Sequence, residues 1–301
     1  MTGLVLTLQT VFLQHPVQPA QLANARDCAL ALGFFDGIHL GHRRILETAR
    51  EAAEAEHLMF AALTFSPHPL EVLRPADKPF QYLTPLEEKQ EKMAKLGVET
   101  LYVIRFTEEF ARLSPEEFVE QYLIGLRCRH AVAGFDFTFG HRGLGNMSTL
   151  ETTAGGRFRV TTVAKVHHNE LKISSTAIRD MLAAGDVEKI PHFLGEHYEA
   201  RGTIGRARRR PEEALLLDVR FDPGYRLPAP GYYQVVFSAG EAGMAEGVCR
   251  LEGDGSDARI CVMLPPWNGK FRLDGMPVKV RWIRSLAARE TEIPAPLAQV
   301  R

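Results

Sequence analysis

The sequence predicts an α/β fold, a doubly wound parallel sheet, followed by a small all-β barrel. Over roughly the first 200 residues, short apolar runs alternate with amphipathic segments, the pattern of β-α-β units. Beyond residues 195–210 the helical period fades, and strand-like runs are separated by Gly and Pro. With 45% apolar and 24% charged residues, a chain of 301 residues has the material for two packed cores. The expected division is 1–195 for the α/β domain and 196–301 for the barrel.

Strands are expected at 28–32, 59–65, 100–104, 130–133 and 159–163, each a short run dominated by apolar residues. Between the first two, residues 42–56 place Ile45, Leu46, Ala49, Ala52 and Ala53 on one helical stripe. Thr84-Pro85-Leu86-Glu87 opens another helix, with Pro at its first position and a capping-box Glu. Ser114-Pro115-Glu116-Glu117 repeats that signal before Phe118 and Val119. In the C-terminal part, runs at 214–221, 232–238, 245–251, 258–264 and 277–284 suffice for a small barrel.

Charge bounds the partners. Thirty-six basic and 37 acidic residues leave a net charge of -1, so no overall field draws the chain to nucleic acid or an anionic membrane. Phosphate binding has to be local. No run approaches the roughly 18 apolar residues of a membrane span. The start Met1-Thr2-Gly3-Leu4-Val5-Leu6 lacks a basic flank and a cleavage site. The expected location is the cytoplasm, with small-molecule substrates and neither nucleic acid nor membrane as partner; the sequence does not specify an oligomeric state. Cys28, Cys128, Cys249 and Cys261 are scattered without C-x-x-C spacing and read as reduced structural thiols. No His or Cys spacing marks a metal site, and His167-His168 reads as a loop feature.

After the strand at 28–32 the chain runs Gly33-Phe34-Phe35-Asp36-Gly37-Ile38-His39-Leu40-Gly41-His42 and enters a helix. Ligands of open α/β sheets sit beyond the carboxyl ends of strands, where a helix N-terminus offers unpaired N–H groups to phosphate. Gly33, Gly37 and Gly41 let backbone come close. His39 and His42 are one helical turn apart, so both imidazoles can face one anion. Taken alone, the pattern also fits a Gly-rich turn with two surface histidines. It resembles the H-x-G-H signature of the adenylyltransferase superfamily, and the preceding Phe35-Asp36-Gly37 resembles its FMN adenylyltransferase (FAD synthetase) branch, whose members are commonly fused to riboflavin kinase. That resemblance implies ATP contacts at Gly33, Phe34, Phe35, Gly37, His39, Gly41 and His42.

Three further segments follow in the family's order. Ser66-Pro67-His68-Pro69 is a rigid loop with or without a ligand role, and it resembles the Phe-x-Pro-His-Pro loop beside the nucleotide and flavin phosphate; Pro67, His68 and Pro69 would serve there. Ala133-Gly134-Phe135-Asp136-Phe137-Thr138-Phe139-Gly140-His141-Arg142-Gly143-Leu144-Gly145-Asn146, with four glycines, is too Gly-rich for a helix and is either an ordinary strand end with its loop or a flat, partly polar slot. It resembles Gly-x-(Asp/Asn)-Phe-x-Phe-Gly, which implies flavin contacts at Asp136, Phe137 and Phe139. Lys172-Ile173-Ser174-Ser175-Thr176-Ala177-Ile178-Arg179 starts a helix with hydroxyls at its cap. Spacing alone suits a plain N-cap and a surface Arg; the resemblance to Ile-Ser-Ser-Thr-x-Ile-Arg implies that Ser175, Thr176 and Arg179 hold the outer phosphates and the departing pyrophosphate. The implied reaction is Mg-dependent adenylyl transfer from ATP to FMN, with His39, His42 and Arg179 catalytic and Mg²⁺ held mainly by phosphates and water.

The family's C-terminal part is a riboflavin kinase barrel. Gly202-Thr203-Ile204-Gly205-Arg206, Gly231-Tyr232-Tyr233-Gln234-Val235 and Gly247-Val248 resemble its strands. Its Gly-Phe-Pro-Thr-Ala-Asn motif is replaced by Arg208-Arg209-Arg210-Pro211-Glu212-Glu213-Ala214-Leu215, and its catalytic Glu has no counterpart in Ala258-Arg259-Ile260-Cys261-Val262-Met263-Leu264. Lacking a base and the oxygens that place Mg-ATP, the barrel is expected to be kinase-dead. Arg206, Arg208, Arg209 and Arg210 read as a solvated loop, with phosphate or nucleic acid as the alternative. Two other functions stay open: a bifunctional riboflavin kinase/FAD synthetase, and a non-catalytic flavin or nucleotide sensor, against which the intact His39 and His42 argue.

Overall fold

The structure, a computed structural model, describes residues 8–74, 79–209, 214–240, 243–252, 257–263 and 273–287. By contact density they form two units, one built from the chain up to Phe80 together with Thr84–Ile173, the other from Gln81–Leu83 and the chain from Ser174 onward.

The first unit is a six-stranded sheet. Its strands β1 (Gln9–Leu13), β2 (Cys28–Leu32), β3 (Met59–Ser66), β4 (Thr100–Arg105), β5 (Cys128–Gly134) and β6 (Arg159–Val163) lie in the order β1-β4-β3-β2-β5-β6, and every pair is parallel. Alternate residues of each central strand feed different cores. Cys28, Leu30, Leu32, Ala61, Leu63, Tyr102 and Ile104 face one; Ala29, Ala31, Phe60, Ala62, Leu101 and Val103 face the other. This two-sided burial is why these strands read as nearly continuous apolar runs. Each fully buried Leu or Phe side chain contributes about 1.5–3 kcal/mol.

Helices α1 (Pro19–Leu22), α2 (Leu40–Glu56), α3 (Pro69–Leu73), α4 (Leu86–Lys95), α5 (Pro115–Phe118), which continues as a π-helical turn over Val119–Ile124, and α6 (Met147–Ala154) connect the strands. A two-residue hairpin of β7 (His167–His168) and β8 (Leu171–Lys172) follows β6. The capping box before α5 forms as expected: Ser114 Oγ accepts the Glu117 N–H and Glu117 Oε2 accepts the Ser114 N–H. Before α4 it does not. Pro85 itself is the N-cap, with no side-chain cap, because the Thr84 N–H is turned to Asp36 Oδ1 at 3.0 Å. Strand β1 was not foreseen in the sequence. It pairs with β4 at the sheet edge, buries only Leu13 fully and leaves Phe12 59% exposed, so its mixed residues carry no clear period.

The second unit holds α7 (Ser175–Ala184), α8 (Pro191–Leu194) and six strands, β9 (Glu199–Arg209), β10 (Ala214–Phe221), β11 (Gly231–Ser238), β12 (Met244–Leu251), β13 (Asp257–Met263) and β14 (Pro277–Leu286). They close into a barrel in the order β10-β13-β12-β11-β14-β9. Val235, Phe237, Val280 and Trp282 are fully buried in it. Strand β9 contains the expected strand segment Gly202–Arg206 and runs on through Arg208 and Arg209, which were expected in a loop together with Arg206. The Arg208 guanidinium pairs across the ladder with Asp218 on β10 at 2.8 Å, a partner that a basic run does not reveal. Arg210, residues 211–213 and Leu264 lie outside the described residues. Cys28, Cys128 and Cys249 are buried free thiols, and burial pushes the Cys28 thiol up to about 12.

Candidate active site

The strand order reverses beside β2. From it the chain steps through β3 and β4 to one side, while β5 and β6 lie on the other. Crevices at such a switch point receive ligands. The loop after β2 carries Gly33 to His39, the loop after β5 carries Phe135 to Asn146, and that after β3 carries Pro67 and His68. Three of the four expected segments therefore leave neighbouring strands at the same edge of one sheet.

Phe35, Gly37 and Ile38 all have positive φ (56°, 87° and 46°). Glycine adopts this region freely; Phe and Ile do not, and such strain persists where the surroundings enforce it. Both side chains are buried, with 1% exposure or less. Thr64 Oγ1 donates to the Phe34 carbonyl at 2.8 Å and the Lys89 ammonium donates to it at 2.7 Å. Lys89, on α4, is 2% exposed. Its Nζ also reaches Thr64 Oγ1 at 3.3 Å and lies 4.4 Å from the Phe34 ring centre. Burial lowers its pKa to about 8, partly offset by the Asp36 carboxylate. No sequence signal marks this residue, since Glu87-Glu88-Lys89-Gln90 reads as a solvated helix face.

His39 is the N-cap of α2, so the helix begins two residues before the expected start. Its Nδ1 accepts the His42 N–H at 3.2 Å. An acceptor nitrogen carries no proton, so neutral His39 is protonated at Nε2. The two imidazoles stack with centres 3.6 Å apart and planes 13° apart. Gly41 makes room for this arrangement: a Cβ there would stand 3.1 Å from the His39 ring. His39 is 7% exposed, and its pKa is lowered to about 4, first by burial and then against the raising field of Asp136. Burial also holds His42 well below the usual range, with His39 and Lys89 adding to it. His42 Nδ1 is buried without a hydrogen-bond partner. Both rings are neutral donors in the free protein, next to first-turn N–H groups that a helix leaves unpaired.

His68 caps α3, its Nδ1 accepting the Leu70 N–H at 3.0 Å. Its ring meets Phe34 edge-on at 4.4 Å and stacks on Phe80 at 3.9 Å, so the expected rigid loop is an aromatic wall; Pro67 and Pro69 on either side are half-buried. Asp136 is exposed and pairs with Lys172 at 2.5 Å. Lys165 and Lys172 both lie over Phe135, at 4.6 and 4.9 Å from the ring centre. Phe137 is half-buried. Phe139 is 5% exposed and packs on Phe118 and Phe137, so the fold uses its ring as core behind Phe137. Lys165, Lys172 and Phe80 were not singled out in the sequence, although Lys172 immediately precedes the Ile-Ser-Ser segment.

Ser175, Thr176 and Arg179 belong to the second unit. They occupy the first turns of α7, capped by Ser174 Oγ, which accepts the Ala177 N–H at 3.2 Å. Ser175 is half-buried and Thr176 exposed, and Arg179 Nη1 donates to the Gln81 carbonyl at 2.6 Å. Among the described residues no group of three or more His, Cys, Asp or Glu side chains is placed to hold a metal ion.

Residues 21–177 match the model of the FAD synthetase family. A bifunctional riboflavin kinase/FMN adenylyltransferase of Listeria monocytogenes is 43% identical over 76% of this chain and 74% of its own. The Bacillus subtilis protein of the same name is 40% identical over 81% and 77%. A second L. monocytogenes protein, an FAD synthetase, is 34% identical over 70% and 82%. A crystal structure of a Streptococcus pneumoniae protein called a macrolide-efflux protein superposes with a TM-score of 0.81 at 25% identity, over 93% of this chain and 91% of that one.

Proposed function

The chain belongs to the FAD synthetase family, and from that premise we propose that it transfers the adenylyl group of Mg–ATP to FMN. An FMN phosphate oxygen forms a bond to the α-phosphorus, the bond from that phosphorus to the β-bridging oxygen breaks, and pyrophosphate leaves with the electron pair; the flavin product is FAD. The observation that carries the reading is the stacked pair His39 and His42 at the start of α2, beside the switch point of the sheet.

In this reading His39 donates from Nε2 to the phosphates, and His42 beside it stabilises the charge that develops in transfer. Gly33, Phe34, Phe35, Gly37 and Gly41 line the nucleotide. Lys89 and Thr64 hold the turn open from beneath. Ser175, Thr176 and Arg179 bind the outer phosphates and the departing pyrophosphate. Pro67, His68, Pro69, Asp136 and Phe137 serve the flavin side, with Phe139 supporting Phe137. Mg²⁺ enters as part of the nucleotide substrate, held by phosphates and water. Residues 1–195 form the transferase in the catalytic sense, working in the cytoplasm, and 196–301 form a barrel that has lost kinase activity.

Positional labelling tests the chemistry. With FMN as acceptor, phosphorus label in the α-position of ATP is expected in FAD and label in the γ-position in pyrophosphate; γ-label arriving in a flavin would contradict the proposal. The bifunctional reading draws on the names of the relatives and on the closed barrel, and against it stand the missing Thr, Asn and Glu. Among the described residues no helix is long and apolar enough to cross a membrane.

A further inference from the structure

We propose that Arg226 and the segment Gln81–Leu83 that it grips are positioning elements for Arg179, so that the barrel sets the place of that guanidinium within its unit. The inference rests on the reading of Arg179 as a pyrophosphate-binding residue.

Residues 81–83 lie in sequence between stretches of the first unit but belong by contact to the second. Tyr82 pairs with Tyr225 in a parallel bridge. Its N–H donates to the Gly224 carbonyl, and its carbonyl accepts the Arg226 N–H at 2.7 Å. Arg226 Nη1 donates to Gln81 Oε1 at 2.9 Å. The backbone and the side chain of Arg226 thus hold adjacent residues, and the Gln81 carbonyl so fixed accepts Arg179 Nη1 at 2.6 Å.

Arg226 is itself anchored. Its carbonyl accepts the Tyr198 hydroxyl at 2.7 Å, and Tyr198 and Tyr225 are 2% and 5% exposed. The helix bearing Arg179 is tied to the same region: the Ala229 N–H donates to the Leu182 carbonyl at 2.8 Å, and Tyr233 Oη donates to the Ala229 carbonyl at 2.6 Å. Arginine presents five donors in a rigid fork, so pinning one nitrogen orients the rest. A displacement of about 1 Å in a group that binds the reacting phosphates costs on the order of 100-fold in rate. A barrel without kinase chemistry therefore retains a task that no kinase residue performs.

The test is a double-mutant cycle in the full chain. Calorimetry with Mg²⁺ and inorganic pyrophosphate would compare the parent, Arg226→Ala, Arg179→Ala and the double variant, with FAD formation from FMN measured alongside. Arg226→Ala is expected to weaken pyrophosphate binding about tenfold, and to do nothing further once Arg179 is gone, as expected of residues acting through one another. Arg226→Lys, which keeps a donor for Gln81, should recover part of the loss. Should Arg226→Ala fail to fold, Gln81→Leu removes the same side-chain contact and leaves the carbonyl. Additive losses, or parental affinity in Arg226→Ala and Gln81→Leu, would overturn the proposal. A parent that binds pyrophosphate in this pattern but makes no FAD would overturn the acceptor and leave the positioning role standing.

Discussion

His39 accepts a backbone N–H at one ring nitrogen and is neutral with its pKa near 4. With Nδ1 occupied by the His42 N–H, the ring meets phosphate as a neutral Nε2–H donor, so His39→Ala should weaken Mg–ATP binding by the same factor at pH 6 and pH 8, read by calorimetry; a loss confined to pH 6 would show that the imidazolium makes the contact. For the free protein the sign is fixed by the depressed value. Between about 6.5 and 4 the unfolded chain binds more protons at this residue than the folded one, so its contribution to stability falls as pH falls through that window. His39→Ala removes a donor aimed at developing charge and should lower kcat by about 100- to 1,000-fold. Lys89→Met makes a different prediction. Replacing the buried ammonium alone leaves the buried Asp36 carboxylate without its compensating charge and the Phe34 carbonyl without one donor, a loss of the kind that costs about 3–5 kcal/mol; melting temperature and FAD formation should both fall, the latter about tenfold, and unchanged turnover would mean that the turn does not depend on Lys89.

At the scale of elements, sequence was most informative where both faces of a strand are apolar. Residues 28–32 were legible because Cys28, Leu30 and Leu32 fill one core and Ala29 and Ala31 the other. Strand β1 was not, since an edge strand with an exposed Phe12 shows no period. Lys89 was invisible for the opposite reason: its neighbours look solvated, and only the approach of α4 to the Phe34 carbonyl buries it. Phe139 was visible as an aromatic of the flavin segment, but whether a ring faces a ligand or a core is decided by tertiary partners such as Phe118. Helix α2 separates stability from function. Gly41→Ala gains up to about 1 kcal/mol of helix propensity, yet its methyl would press on the His39 ring at 3.1 Å. The variant should melt no lower than the parent and turn over about tenfold more slowly; unchanged turnover would mean that the imidazole stack is not needed.

Across the whole molecule, two units with separate cores should respond separately. Trp282→Ala empties the fully buried centre of the barrel and should cost about 3–5 kcal/mol, lowering a second-unit transition in calorimetry while the α/β transition stays in place. The barrel strands were readable from their Gly and Pro breaks, whereas the affiliation of α7 with the barrel rather than with the parallel sheet was not, because it depends on contacts such as Ala229 to Leu182 that have no local signature. Family membership accounts for the transferase. The sequence of the barrel, with Arg208 paired to Asp218 where a kinase motif would stand, is why a single activity is proposed. The most direct measurement supplies purified full-length protein and Mg–ATP with either FMN or riboflavin and separates the flavins by chromatography. FAD from FMN, with riboflavin left unchanged, is the predicted result; no FAD from FMN, or FMN appearing from riboflavin, would contradict the account.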